Sequence, residues 1–265
     1  MRIFNRKIHK SVAENSVVEV TECDGMRNLH LGSVTIQSGM NIRDPYKLAL
    51  NYSRGIMCFL LFSSQIKSLL TVGLGGASVT KYIHQHCPTI SQTVLEINAQ
   101  VIQIARSHFY LAENDEKLNV IAGDGVQYLI DNYASQDCVM IDVFDAHGIP
   151  PNCCTQDFFD SCCNVLKKDG VFLINLWGSD KNFDVYLQRI EQSFAGRVLI
   201  MPTGKPGNII VFGFKEAIKL TEKKLRERAL ALEKDHKIEF NEFVDKLHAH
   251  NGYHEMYTLL EQGTK

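Results

Sequence analysis

Hydrophobic and polar positions change period along the chain. Over the first forty residues the spacing is two. Val17-Val18-Glu19-Val20 runs into a turn at Asp24-Gly25, and Leu29-His30-Leu31 and Val34-Thr35-Ile36 follow, interrupted by Gly32 and Gly39. Alternation broken by turn residues predicts a small β-meander. Pro45 then opens a stretch in which Leu48, Tyr52, Ile56 and Phe59 recur at helical spacing, predicting a helix from Pro45 onward.

From Leu69 the chain alternates between short apolar runs and amphipathic stretches. The runs are Leu69-Leu70-Thr71-Val72, Thr93-Val94-Leu95-Glu96-Ile97, Asn119-Val120-Ile121-Ala122, Cys138-Val139-Met140-Ile141-Asp142 and Val171-Phe172-Leu173-Ile174-Asn175. Unbroken apolar runs suit strands buried on both faces. Helical patterns over 79–86, 99–109, 126–133 and 156–166 separate them. This order predicts an α/β fold, a doubly wound, mostly parallel sheet with helices on both faces. Runs at 198–201 and 209–214 flank Pro202-Thr203-Gly204-Lys205-Pro206-Gly207, which predicts a hairpin and an antiparallel edge, seven strands in all. Beyond Lys215 the mixed charges of Glu222-Lys223-Lys224-Leu225-Arg226-Glu227-Arg228 mark a solvated helix face. A second helix through Ile238, Phe240, Phe243, Val244 and Leu247 is expected to pack back on the sheet. The expected organisation is an N-terminal β-meander over 1–45 and a Rossmann-like domain over 46–265, with 215–265 as its helical extension.

Composition narrows the function classes. The chain has 265 residues, enough for a large core, and 28 basic against 30 acidic residues give a net charge of −2. Such a balance offers no electrostatic footprint for nucleic acid and no polybasic membrane anchor. The longest apolar run, Ile56 to Phe62, is far short of a membrane span, and the basic N-terminus has no apolar stretch behind it to make a secretory signal. Eight cysteines fit reduced thiols of a cytoplasmic protein. Cys153-Cys154 and Cys162-Cys163 are adjacent pairs whose side chains diverge, so small buried thiols are expected there and no metal site. His248, His250 and His254 read as a surface cluster.

Ligands of open α/β sheets bind beyond the carboxyl ends of the strands, so the residues at those ends are the candidate chemistry. The first end carries Gly73-Leu74-Gly75-Gly76-Ala77-Ser78, a loop that lets backbone approach a ligand closely. The second carries Glu96, 23 residues beyond Gly73, a spacing at which an acid accepts from ribose hydroxyls. The third carries Gly123-Asp124-Gly125, where the carboxylate suits the exocyclic amine of a base or caps the following helix. At the fourth, Asp142-Val143-Phe144-Asp145 places two acids three residues apart, suited to a cationic substrate or to a general base beside a charge anchor. His147 follows these acids, and Trp177 follows the fifth strand, where packing under the hairpin is preferred over a place in the acceptor pocket.

Taken in order, Gly73-Leu74-Gly75-Gly76, Val94-Leu95-Glu96-Ile97-Asn98, Gly123-Asp124-Gly125 and Asp142-x-x-Asp145 resemble the spermidine synthase (polyamine aminopropyltransferase) family, across residues 17–215. The resemblance implies the class I S-adenosylmethionine-dependent transferase fold. It implies aminopropyl transfer from decarboxylated S-adenosylmethionine to a diamine such as putrescine. It also implies a nucleoside site of Gln37, Gly73, Gly75, Glu96, Ile97, Asp124 and Gly125. Asp142 is implied as the base that deprotonates the attacking amine and Asp145 as a residue holding the diamine, in a cytoplasmic homodimer without metal. Two departures stand out. Gly76 occupies a position where the family carries an aspartate that contacts the donor's amine, and Asp44-Pro45-Tyr46-Lys47-Leu48 stands where a Tyr-His-Glu element is expected. The alternatives these leave are a methyltransferase using intact S-adenosylmethionine and a non-catalytic nucleoside-binding protein.

Overall fold

The computed structural model describes residues 6–13, 16–145, 148–204, 207–218 and 220–251. Its N-terminal part is a four-stranded antiparallel sheet of β1 (Arg6–Ala13), β2 (Ser16–Cys23), β3 (Met26–Leu31) and β4 (Ser38–Asn41), in that order. A left-handed Asp24 and Gly25 make the β2–β3 turn. Two expectations change here. β1 carries Arg6, Lys7 and Lys10 and shows no apolar run, yet it pairs along β2 as a charged edge, with Lys7 and Lys10 both on Glu19. Charged edge strands resist pairing with other chains. The segment Val34-Thr35-Ile36 is a bend, with Val34 95% exposed, because no partner strand lies beside it.

The chain crosses over through two short helices, α1 (Asn51–Ile56) and α2 (Phe59–Phe62). The helix expected from Pro45 begins six residues later, and residues 45–50 form turns and extended backbone. The strands and helices that follow are β5 (Ser68–Val72), α3 (Ser78–His86), β6 (Ser91–Glu96), α4 (Ala99–Phe109), β7 (Leu118–Ala122), α5 (Gly125–Asp131), β8 (Gln136–Ile141), α6 (Gln156–Val165), β9 (Leu166–Trp177), α7 (Phe183–Ser193), β10 (Val198–Pro202), β11 (Asn208–Phe214), α8 (Glu222–His236) and α9 (Phe240–His250). Among the described residues they build a seven-stranded sheet ordered β10-β11-β9-β8-β5-β6-β7. The antiparallel strand is β11, which lies between β9 and the edge strand β10 rather than at the edge itself. α7 is an element the sequence reading misses.

Burial on both faces explains why these strands read as continuous apolar runs. Leu69, Cys138, Met140, Val171, Leu173, Ile210 and Phe212 face one core with α1, α2, α3, α8 and α9. Their neighbours Leu70, Val139, Ile141, Phe172, Ile174 and Val211 face the other with α6 and α7. Each such side chain contributes about 1.5–3 kcal/mol by burial. Cys138, Cys153, Cys154 and Cys162 are buried as well, with desolvation pushing their thiols up. No group of three or more His, Cys, Asp or Glu able to hold a metal ion occurs among the described residues, and no described helix is long and apolar enough to cross a membrane. His248 lies against Glu222 at 3.0 Å, and His254 lies outside the described residues.

The small sheet docks on the large one through Val18, Val20, Leu29 and Met40 packed against Val101, Ile104 and Phe109 of α4. Lys81 of α3, 2% exposed, pins this junction: Nζ donates to the carbonyls of Phe109 (2.7 Å) and Pro45 (2.8 Å) and lies 3.2 Å from Met40 Sδ. Burial without a facing acid pulls the Lys81 ammonium down to about 8. The consequence for the site is that β2, β3 and β4 form a roof over the carboxyl ends of β5 and β6.

Candidate active site

Chain order reverses between β5 and β8, and the crevice at that switch point is where an open α/β sheet takes its ligand. A cavity of about 420 Å³ opens there, lined by the loops after β5, β6, β7 and β8 and roofed by residues of the small sheet. Gln37, Gly73, Gly75, Glu96, Ile97, Asp124, Gly125, Asp142 and Asp145 all lie on its wall. The structure therefore brings together the residues expected to hold the nucleoside and the amine.

The glycines are there for space. Gly73 has φ +96, and a Cβ on it would sit 2.2 Å from the Asp142 carbonyl oxygen, because β5 and β8 are adjacent. A Cβ on Gly125 would sit 2.3 Å from Val72 Cγ1. Gly76 has a different origin. Its N–H donates to Ser38 Oγ at 2.9 Å, and a Cβ there would meet Ser38 Cβ at 2.8 Å and the Phe109 ring at 3.1 Å. Ser38 comes from β4 of the roof, so any side chain at 76, an acid included, would have to displace Ser38 and the Phe109 ring.

Glu96 is 9% exposed and already engaged: Oε2 accepts from Leu74 N–H (3.0 Å) and Oε1 from Asn98 N–H (2.9 Å). Burial pushes its carboxyl up, and the backbone N–H groups of Asn98, Leu74, Gly75 and Ile97 pull it back down. It thus clamps the glycine loop to β6 while fronting the cavity. Asp124 is exposed and caps α5, with Oδ1 accepting from Val126 N–H at 2.8 Å. Ile97 is 75% exposed and offers an apolar rim.

Asp142 is half-buried on the cavity wall, its Oδ1 accepting from Asn175 Nδ2 at 2.9 Å. Burial pushes its carboxyl up to about 6, against the lowering effect of that hydrogen bond. A carboxylate near 6 is a competent proton acceptor at neutral pH. Asp145 accepts from Gly148 N–H at 3.1 Å, which shapes its loop, and its carbonyl lies 3.3 Å from Gln37 Nε2. His147 lies outside the described residues.

Three contributors escape the sequence reading. Tyr52 of α1 lines the cavity with Asp142. Its hydroxyl donates to the Gln37 carbonyl at 3.2 Å, and burial together with the charge of Asp142 raises it well above the ordinary range. The usable signal is a tyrosine in the first turn of an apolar helix. Ser38 and Asn175 are the others, and neither stands in a motif. A second cavity of about 400 Å³ shares Gln37, Tyr52 and Phe144 with the first and is completed by Asn51, Asn175, Trp177, Ser179 and Asn208 among others. Trp177 stacks on Phe144, ring centroids 5.3 Å apart, and so walls this cavity instead of packing under the hairpin.

A doubly wound sheet with an acidic, glycine-looped crevice at its switch point is the architecture of the S-adenosylmethionine-dependent transferase fold. Comparison with known proteins narrows the class. Residues 50–224 match the spermine/spermidine synthase domain. A polyamine aminopropyltransferase of Chromobacterium violaceum is 38% identical over 248 residues, covering 93% of this chain and 95% of that protein. The chain belongs to the spermine/spermidine synthase family. Spermidine synthase in complex with the transition-state analogue AdoDATO superposes with a TM-score of 0.75 at 19% identity, over 92% of this chain and 85% of that one, a likeness of fold. Human methyltransferase-like protein 13 in complex with SAH superposes with a TM-score of 0.60 at 26% identity, over 71% and 89%.

Proposed function

We propose that this protein transfers an aminopropyl group from decarboxylated S-adenosylmethionine to a small diamine such as putrescine. The observation that carries the reading is the placement of Asp142, a carboxyl near neutrality on the cavity wall, with a second, aromatic-walled cavity adjoining through Gln37, Tyr52 and Phe144. In this reading the first cavity holds the adenosyl group, with Glu96 facing the ribose and Asp124 the base. The acceptor amine enters from the second cavity. Asp142 takes its proton, the freed lone pair forms the new N–C bond, and the C–S bond breaks to leave a neutral thioether nucleoside. Asp145 adds negative charge that favours a cationic acceptor, and the roof excludes water from the sulfonium carbon. A cytoplasmic homodimer belongs to the same reading.

A second reading, methyl transfer from intact S-adenosylmethionine, is favoured by one observation: at Gly76 the loop presents no carboxylate to a donor ammonium, and Ser38 keeps it so. Incubation with each donor and a panel of amines, followed by mass spectrometry, tests both. Methylthioadenosine with an N-aminopropylated amine supports the first reading. S-adenosylhomocysteine supports the second. Tight methylthioadenosine binding with no product from either donor overturns both in favour of a binding protein.

A further inference from the structure

Asp142 is the end of a chain of buried amides. Asn175 Nδ2 donates to Asp142 Oδ1 at 2.9 Å, and Asn208 Nδ2 donates to Asn175 Oδ1 at 3.0 Å. Asn175 is 1% exposed and Asn208 5%. The backbone of Asn208 is fixed in turn, since its carbonyl accepts both N–H (2.9 Å) and Oγ1–H (3.0 Å) of buried Thr203. Thr203 is held against α1, where any side chain at Gly55 would strike its Cγ2.

The direction of this chain follows from the acid. An ionised carboxylate only accepts, so Asn175 must turn its NH₂ toward Asp142 and its oxygen away. That oxygen then needs a donor, and the NH₂ of Asn208 supplies it. Reversing either amide would face oxygen to oxygen in a buried site, which is costly. The β11 strand, remote in sequence from the β8 end, is thereby coupled to the candidate base.

We propose that Asn175 and Asn208 are positioning residues for Asp142, a two-amide relay that aims its carboxylate and favours the ionised form over the protonated one. The role in catalysis rests on the proton-acceptor reading of Asp142 given above, whereas the electrostatic coupling does not. The other ionisable groups around Asp142 are Tyr52 from α1, Asp145 from its own loop, Glu96 and Asp124 across the cavity at the ends of β6 and β7, and the Cys153 thiol, which burial pushes up and keeps neutral. No lysine, arginine or histidine among the described residues lines either cavity. The relay is therefore the feature that opposes desolvation of the carboxylate.

Two variants of the full chain test it. Asn208→Leu keeps volume and removes the amide, and Asn208→Ala removes the amide with neither added charge nor added bulk. Carbon-13 NMR of the aspartate carboxyls, with the Asp142 signal assigned by its loss in Asp142→Asn, follows the titration in the ligand-free protein. Both variants are expected to raise the Asp142 midpoint by about one pH unit. In the assay, the acid limb of kcat/KM should move up equally, so that the ratio of activity at pH 6 to activity at pH 8.5 falls about fivefold, whatever the change in absolute activity. A raised midpoint without turnover on any amine upholds the relay and removes the aminopropyl reading. An unmoved midpoint in folded Asn208→Leu overturns the relay whatever the activity. If the leucine variant does not fold, an unmoved midpoint in Asn208→Ala overturns it instead.

Discussion

Replacing Asp142 by asparagine should abolish turnover and at the same time stabilise the fold, and the size of the gain follows from the site. The carboxyl lies at about 6 in the folded protein against 3.8 for a free aspartate, with burial as the dominant cause. A tenfold change in proton affinity corresponds to about 1.4 kcal/mol, so holding the charge in the folded state costs about 3 kcal/mol at full strength. Water in the adjoining cavity screens part of this, leaving about 2 kcal/mol. Because the folded-state value is raised, the cost is complete above pH 6 and fades as the pH falls from 6 toward 4, where the folded carboxyl is protonated and the unfolded one is beginning to be. The neutral amide of Asp142→Asn would carry no such cost, and its oxygen can still accept from Asn175. The variant should therefore melt about 4–8 °C higher than the parent at pH 8 and close to it at pH 4. Differential scanning calorimetry across that range reads the difference directly. A variant that melts below the parent at pH 8, or a gap that does not change with pH, would refute the argument that desolvation dominates at this carboxyl.

Other expectations follow from the same geometry. Gly76→Asp should destabilise by about 2 kcal/mol through the clash with Ser38, and adding Ser38→Gly should restore much of it, a coupling that a double-mutant cycle by urea denaturation would reveal. Glu96→Gln turns an amide donor toward the N–H of Leu74 or Asn98, so methylthioadenosine affinity should fall about tenfold by calorimetry, and an unchanged Kd would remove Glu96 from the nucleoside site. Trp177→Ala empties the wall of the second cavity. Amine KM should rise about tenfold while nucleoside binding stays put, and the reverse pattern would reassign that cavity.

The parallel sheet was legible because its strands are buried on both faces and separated by amphipathic helices, a pattern written in consecutive residues. β1 was not, since an edge strand built of Arg6-Lys7-Ile8-His9-Lys10 has no reason to be apolar. Val34 and Ile36 misled in the opposite sense, being apolar yet exposed beside the roof. The strand-end residues Gly73, Glu96, Asp124 and Asp142 could be placed together because sheet topology alone aligns the ends of β5, β6, β7 and β8. Ser38, Tyr52 and Asn208 could not, because their positions depend on how a separate sheet, a short helix and a hairpin dock from elsewhere in the chain. For the same reason Gly76 looked like a lost acid in the sequence and is a packing requirement in the structure.

That packing requirement reassigns authorship of one chemical choice. How much room the glycine loop has for a side chain at position 76 is decided in part by a serine on β4, outside the nucleotide-fold proper. Exchanging the N-terminal strands, with every loop of the large sheet left untouched, would consequently change the room at that position, so a modular border runs beside the glycine loop itself.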